Sequence, residues 1–345
     1  MKRGNKLSQQ IKENSQRDLP SKKEKDGNTK VMISTGSTLL DLAISGGRVR
    51  EGGLPGGIMV EIFGPTGCGK TVLLSEIAGD IQRKGGDVMF RDPEARLNKS
   101  FAQIFDVDFD SLDYDTPNTV TDVFRDIRTF EGKGKINGCM TDSLAALSTN
   151  MEMDNDDGDK MGMRRAKEFS EGFRKNARIL TQNNILMVCS NQIRENADAG
   201  PYGQKHTSPG GHAIGFYSSV RLRALNPRKL KKKIKIKGKE LERVYGVQTE
   251  FEVYKNSVDA PYRKASVSII FDYGVDDVRE NLQFLKKYTG TTTYMVGGET
   301  LDRSLEKAIQ IVEEDNLENT LKKEVIKLWN HIEKQFKSER GKKKR

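Results

Sequence analysis

Sulfur, imidazole and indole are scarce in this chain: its 345 residues include three cysteines, three histidines and one tryptophan. Cys68, Cys139 and Cys189 are odd in number, far apart and set in apolar segments. That excludes a disulfide framework and fits reduced thiols in a cytoplasm. The histidines form no clustered ligand set, so no zinc site is expected. No apolar run approaches the roughly 18 residues of a membrane span. The basic, polar start has no apolar segment behind it, so no leader peptide is expected. Hydrophobic residues make up 35% and mean hydropathy is −0.67, the profile of a charge-rich soluble protein.

Acidic residues are outnumbered, and the net charge is +10. Arg228 to Lys239 holds eight basic residues and no acidic one, and Arg340 to Arg345 holds five more. Each stretch alone reads equally as a solvated surface. Beside a nucleotide site they favour nucleic acid.

The nucleotide site is Gly64-Pro65-Thr66-Gly67-Cys68-Gly69-Lys70-Thr71, a complete phosphate-binding loop. An apolar run, Ile58 to Phe63, precedes it, and Val72, Leu73, Ile77 and Ile81 follow at helical spacing. Strand, loop and helix in that order are what the motif requires. The glycines let backbone N–H groups ring a phosphate, and the helix N-terminus adds partial positive charge. Lys70 is expected to reach the outer phosphates and Thr71 to bind Mg²⁺. Cys68, at the helix start, is read either as a thiol of lowered pKa or, preferably, as a small residue that fits the loop.

Residues 1–32 read as a flexible basic arm. Beyond it, strands at Ile58–Phe63, Asp87–Arg91, Ile136–Asp142, Ile185–Asn191 and Val220–Leu225 alternate with helices at Val72–Arg83, Val120–Phe130 and Arg164–Thr181. The alternation predicts an α/β core, 33–273, with a mainly parallel sheet and ligands at the strand ends. After Leu225 the pattern turns antiparallel, with a hairpin through Lys233–Gly238 and strands at Thr249–Tyr254 and Val267–Phe271. Residues 274–338 read as a small α-rich domain, and 339–345 as a basic tail. Its last helix carries an apolar stripe through Leu317, Leu321, Val325, Leu328, Ile332 and Phe336, with Trp329 packed beside it.

Four segments then fall where a nucleotide hydrolase needs them. Asp142 ends a strand and is placed to hold Mg²⁺ through water. Glu94 ends the strand after the phosphate-loop helix, a general-base position for activating water. Gln192 ends another strand and is placed to sense a γ-phosphate. Residues from Arg194 to His212 form a long glycine-bearing loop fixed to Gln192, a segment that nucleotide state could order.

Taken in order, these segments resemble the bacterial and phage RecA-type strand-exchange recombinases, from about Ile33 to about Lys334. The resemblance rests on Ser34-Thr35-Gly36-Ser37, Gly53-Leu54-Pro55-Gly56-Gly57, the phosphate loop, Asp92 to Leu97, Thr141 to Leu147, Asn191-Gln192-Ile193-Arg194, Pro209 to Arg221 and Tyr254-Lys255-Asn256. It implies a RecA-like P-loop ATPase core. ATP and Mg²⁺ would be held by Lys70, Thr71 and Asp142, with Glu94, Gln192 and Lys255 in catalytic roles. Asn98 and Phe101 match adenine-recognition positions. Residues 155–165, with Arg164 and Arg165, match the first DNA segment. Residues 193–212, with Arg194, Gly210, Gly211 and His212, match the second. Phe216 matches a subunit-interface position. The partners implied are single-stranded DNA, homologous duplex DNA and further copies of the chain in a helical filament, with rings as a form without DNA; no membrane partner is implied.

The chain departs from that pattern in places. Ser257 stands where a second lysine follows Lys255, Gly215 where a lysine is usual, and Asn98 where an aspartate is usual. The arm lacks a clear amphipathic packing helix, and the tail is basic where the family's is acidic. A ring helicase on the same core and an ATP-switched annealing or mediator protein with little hydrolysis stand as alternatives.

Overall fold

The computed structural model describes residues 31–46, 52–150, 152, 161–195, 206–207, 212–338 and 340–341. The expectations for residues 1–30, for 155–160, for Gly210 and Gly211 and for the last four residues lie outside that set.

A short helix, α1 (Thr38–Ser45), opens the described chain, capped by the Ser37 side chain and ended by Gly46 at φ 69°. Its Asp41 carboxylate is buried and organises the segment before it. Ser34 Oγ donates to Asp41 at 2.5 Å, Thr35 N at 2.8 Å and Thr35 Oγ1 at 2.7 Å. Burial pushes the Asp41 carboxyl up to about 7, against the opposing pull of those hydrogen bonds.

Six strands of the main sheet then run parallel. In chain order the first five are β1 (Met59–Gly64), β2 (Val88–Arg91), β3 (Asp113–Asp115), β4 (Asn137–Thr141) and β5 (Ile185–Gln192). Two short strands, β6 (Arg194–Glu195) and β7 (His206–Thr207), pair separately. They are followed by β8 (Val220–Ile236), β9 (Lys239–Asn256), β10 (Lys264–Ile270) and β11 (Gly274–Val275). The sheet order is β11-β10-β9-β8-β1-β5-β4-β2-β3. From β8 to β3 every pair is parallel; from β8 to β11 every pair is antiparallel.

Each parallel strand sends alternate residues to opposite faces. Val60, Ile62, Val88, Phe90, Met140, Leu186 and Val188 join one apolar cluster. Met59, Met89, Cys139, Met187 and Cys189 join the other. The first face is covered by α2 (Lys70–Arg83), whose Leu73, Leu74, Ile77 and Ile81 are buried. A short helix, α3 (Lys99–Ile104), follows β2. The second face is covered by α4 (Val120–Thr129) and α5 (Met161–Gln182). In α4, Val120, Val123, Phe124 and Ile127 step by three, one and three, and Thr119 caps the helix by accepting from Asp122 N. A six-residue helix, α6 (His212–Tyr217), leads into β8.

One expectation changes here. The strand expected to stop at Leu225 continues to Ile236. Pro227 is accommodated because the β8–β9 register shifts between Leu225 and Arg228, where Asn226 takes φ 45°. A proline without an N–H is tolerated at such a bulge. The hairpin turns at Lys237 (φ 48°) and Gly238 (φ 80°), with Ile236 opposite Lys239. Positive φ at both central residues matches the right-handed twist of the flanking strands.

Beyond β11 come α7 (Asp277–Thr289), a two-stranded hairpin of β12 (Met295–Val296) and β13 (Glu299–Thr300), α8 (Leu305–Glu314) and α9 (Glu318–Gln335). Leu321, Val325 and Trp329 of α9 are buried, and Trp329 lies 6.0 Å from Phe284 between ring centroids. The tryptophan therefore packs. Phe336, expected on that stripe, is 82% exposed because α9 ends one residue before it. Buried residues of α7, α8 and α9 share one apolar cluster with the main sheet. Among the described residues no helix is long and apolar enough to cross a membrane.

Candidate nucleotide and DNA site

The phosphate loop joins β1 to α2. Gly67 takes φ 74° and Gly69 φ 93°, the left-handed region that glycine enters freely. The space differs at the two positions. A Cβ on Gly67 would meet nothing within 4 Å, whereas one on Gly69 would sit 2.1 Å from Ile269 Cδ1. Gly67 thus opens outward and Gly69 packs inward. Lys70 Nζ spans the loop, donating to Gly64 O at 3.1 Å and Pro65 O at 2.8 Å. Cys68 is buried beneath it, and burial pushes its thiol up, against the pull of Lys70. The helix start does not activate this cysteine; of the two sequence readings, the small packing residue holds.

Behind the loop, three strand ends converge. Thr71 Oγ1 donates to Asp142 Oδ2 at 2.5 Å, and Ser190 Oγ donates to Asp142 Oδ1. Asp142, just past β4, is buried, and burial raises its carboxyl, with the charges of Asp92 and Glu94 acting the same way and the two hydroxyls opposing. Ser143 Oγ donates to Glu94 Oε1 at 2.7 Å, and Arg96 pairs with Glu94 Oε2 at 2.5 Å. Both oxygens of the expected base are thus oriented. Asp92 Oδ2 accepts from Arg96 N and Leu97 N, each at 2.7 Å, and from Tyr114 OH at 3.1 Å. Burial and the Asp92 charge raise the Tyr114 phenol to about 12. Asp92 Oδ1 is buried with no hydrogen-bond partner among the described residues.

Gln192 ends β5 directly opposite Gly64 in the parallel register, exposed beside the phosphate loop. Sequence reasoning missed the residues that connect it to the rest of the sheet. Asn191 Nδ2 donates to Glu61 Oε1 at 3.0 Å, and Arg221 Nε donates to Glu61 Oε2 at 2.6 Å. The Arg221 guanidinium lies 4.5 Å over the Phe63 ring and 5.5 Å over Tyr254. A charged residue inside the otherwise apolar run Ile58–Phe63 was the available signal. Ser143 lies inside the motif Thr141 to Leu147 and Ser190 inside the expected strand Ile185–Asn191, but their partners lie 49 and 48 residues away.

Lys255 stands apart from this hydroxyl–carboxylate group. It faces Arg221 across β8 and β9, and its Nζ donates to Gly215 O at 2.8 Å and Phe216 O at 2.9 Å. Burial, then the Arg221 charge, lowers its ammonium pKa. A Cβ on Gly215 would lie 3.1 Å from Arg221 Nη1. Phe216 is 76% exposed.

Asn98 caps α3, its Oδ1 accepting from Phe101 N at 2.9 Å. Phe101 packs edge-on against Phe105, with ring centroids 4.9 Å apart. Of the expected DNA residues, Arg164 is exposed in α5, and Arg165 donates to Glu152 Oε1 at 3.1 Å. Arg194 lies in β6 and His212 starts α6; Gly210 and Gly211 fall outside the described residues.

The arrangement fits a nucleotide triphosphate with Mg²⁺. The loop offers N–H groups and Lys70 to phosphates. Thr71 and Asp142 meet where a hard cation prefers oxygen ligands, and Asp92 keeps one carboxylate oxygen unspent. No group of three or more His, Cys, Asp or Glu side chains able to hold a metal ion exists among the described residues. Mg²⁺ is generally bound by few protein ligands together with waters and phosphates.

Comparison with known proteins agrees. Residues 6–276 match the family model described as the RecA N-terminal domain. The chain is 35% identical over 249 residues to "Protein RecA" of Thermus thermophilus, covering 72% of this chain and 69% of the relative. It is 30% identical over 288 residues to "Protein RecA" of Lactobacillus johnsonii, covering 82% and 76%. With "Protein RecA" of Wolinella succinogenes it shares 32% over 252 residues, covering 73% and 68%.

Proposed function

The chain belongs to the RecA family and is an ATP-dependent recombinase with DNA-dependent ATPase activity, and on that premise we propose how its own residues do the work. Lys70 and the loop N–H groups bind the phosphates. Thr71 and Asp142 would hold Mg²⁺, and the ion would supply charge neutralisation when bound. Glu94, oriented by Ser143, takes the proton of the attacking water. Gln192 reads the γ-phosphate and passes its presence to residues 193–212. Asn98 and Phe101 meet the adenine, and Lys255 acts across a subunit boundary at which Phe216 packs.

The ligands are ATP and Mg²⁺. The polymer partners are single-stranded DNA and a homologous duplex, engaged by Arg164, Arg165, Arg194, Gly210, Gly211 and His212. The chain assembles with copies of itself into a helical filament in the cytoplasm. A core at 33–273, a small domain at 274–338, a basic arm and a basic tail form its organisation. The ring-helicase and annealing alternatives are not favoured.

One observation carries the catalytic assignment. The hydroxyl beside Lys70 is bonded at 2.5 Å to the carboxylate that ends the next strand but one in the sheet, and the hydroxyl following that carboxylate holds Glu94 at 2.7 Å. The test is ATP turnover with and without single-stranded DNA, paired with electron microscopy of the same mixtures. Lys70→Ala should abolish ATP-dependent assembly. Glu94→Gln should keep nucleotide bound, lower turnover by at least about a hundredfold, and stabilise filaments. Turnover in the wild type that ignores DNA, or closed rings that open forked duplexes, would sink the reading.

A further inference from the structure

The β8–β9 ribbon has two chemically different faces beyond the body of the sheet. Between Arg228 and Arg243 nine lysines and arginines stand against two glutamates. The register divides them. Lys232 lies opposite Arg243, Ile234 opposite Leu241, and Ile236 opposite Lys239. Residues directly opposite in an antiparallel pair share a face, so these six side chains form one surface with three cations and no acid. On the other face Lys231 pairs with Glu242 and Lys233 with Glu240, each at 2.8 Å. That face is largely neutralised from within. The first has no ion pair among the described residues, and its aliphatic centre is open: Ile234 is 43%, Ile236 53% and Leu241 38% exposed.

We propose that the face carrying Lys232, Ile234, Ile236, Lys239, Leu241 and Arg243 is a docking surface for duplex DNA, separate from the segments that hold the single strand. This rests on the DNA-acting function above and adds a site to it. Charge selects a polyanion. Shape selects a duplex: a two-stranded ribbon fits the major groove of B-form DNA. The ribbon from Arg228 to Ile236 extends on the order of 26 Å, enough to follow a groove across several base pairs. Cations at the base and tip of the face reach phosphates on the groove walls. The aliphatic centre meets base edges and thymine methyls, or wedges a step from the minor groove. A single strand offers no groove for that centre.

The two terms separate in a salt titration of the full-length chain with a labelled duplex oligonucleotide. Replacing all three cations (Lys232→Ala, Lys239→Ala, Arg243→Ala) should weaken binding at least about tenfold and flatten the log–log salt slope by about 2.7, at about 0.9 per phosphate contact. Replacing the aliphatics (Ile234→Ser, Ile236→Ser, Leu241→Ser) should weaken binding with the slope unchanged. A charge-neutral control on the opposite face (Lys231→Gln, Lys233→Gln, Glu240→Gln, Glu242→Gln) should bind as the wild type does. Thermal melting of each variant verifies folding. Equal losses from both faces, or equal losses for single-stranded and duplex oligonucleotides, overturn the proposal. So does undiminished duplex binding by the triple-cation variant, the outcome expected if the face serves an acidic protein instead. Single-strand-stimulated ATP turnover of the wild type, measured alongside, reports separately on the function the proposal rests on.

Discussion

Glu61 and Arg221 are paired inside the sheet at 2.6 Å, with Glu61 wholly buried on the strand that feeds the phosphate loop. The carboxylate also accepts from Asn191, the neighbour of Gln192. One side chain thus ties together the phosphate-loop strand, the strand that ends in Gln192 and the strand facing Lys255. Removing one member of such a pair leaves the other charged and unmatched. Arg221→Met is expected to cost about 3–5 kcal/mol in urea denaturation. Glu61→Gln should cost less, since an amide oxygen still accepts from Asn191.

Asp41 makes stability depend on pH with a definite sign. Burial raises its carboxyl from 3.8 in the unfolded chain to about 7 in the fold. Between those values the folded state binds the extra proton, so stability falls as pH rises through the window and is recovered on acidification. Urea melts from about pH 4 to about pH 7.5 should show the wild type losing ground to Asp41→Asn as pH increases, by an amount on the order of a few kcal/mol. Parallel curves would refute it.

The glycines of the phosphate loop should not respond alike to alanine. Gly67→Ala meets only backbone strain of about 1–2 kcal/mol, with open space around the new methyl. Gly69→Ala adds a collision with Ile269, whose Cδ1 must move from 2.1 Å. A larger fall in melting temperature for Gly69→Ala than for Gly67→Ala is expected.

All three cysteines should resist thiol reagents in the native protein. Each is buried, and burial raises each thiol, Cys139 to about 12. Only thiolate reacts. At neutral pH, reaction with an aromatic disulfide should be slow until denaturant is added, and should then account for all three. Fast labelling of Cys68 in the folded chain would contradict the packing described.

The phosphate loop was readable because its chemistry is contiguous: eight adjacent residues hold the glycines, lysine and hydroxyl, and the flanking apolar runs have unambiguous periods. The strand ends bearing Asp142, Glu94 and Gln192 were readable for a similar reason, since each closes an apolar segment. What joins them was not. The Ser190–Asp142 and Ser143–Glu94 bonds depend on which strands are neighbours, and sheet order is not written in any one stretch of sequence. The Glu61–Arg221 pair spans 160 residues for the same reason. The strand expected to stop at Leu225 runs on to Ile236, because the bulge that absorbs Pro227 depends on the pairing with β9 and not on the local stretch. Phe336 kept the right period but fell beyond the last helical turn.

Phe216 is held in water by its surroundings. Lys255 clasps the carbonyls of residues 215 and 216, so the backbone is fixed while the aromatic ring stays 76% in water. Covering such a ring gains about 1.5–3 kcal/mol, and the isolated chain forgoes that gain. Repeated once per copy, the same small incentive accumulates along any array that covers it and vanishes on dilution, so monomer concentration becomes a control on whether the machine exists at all.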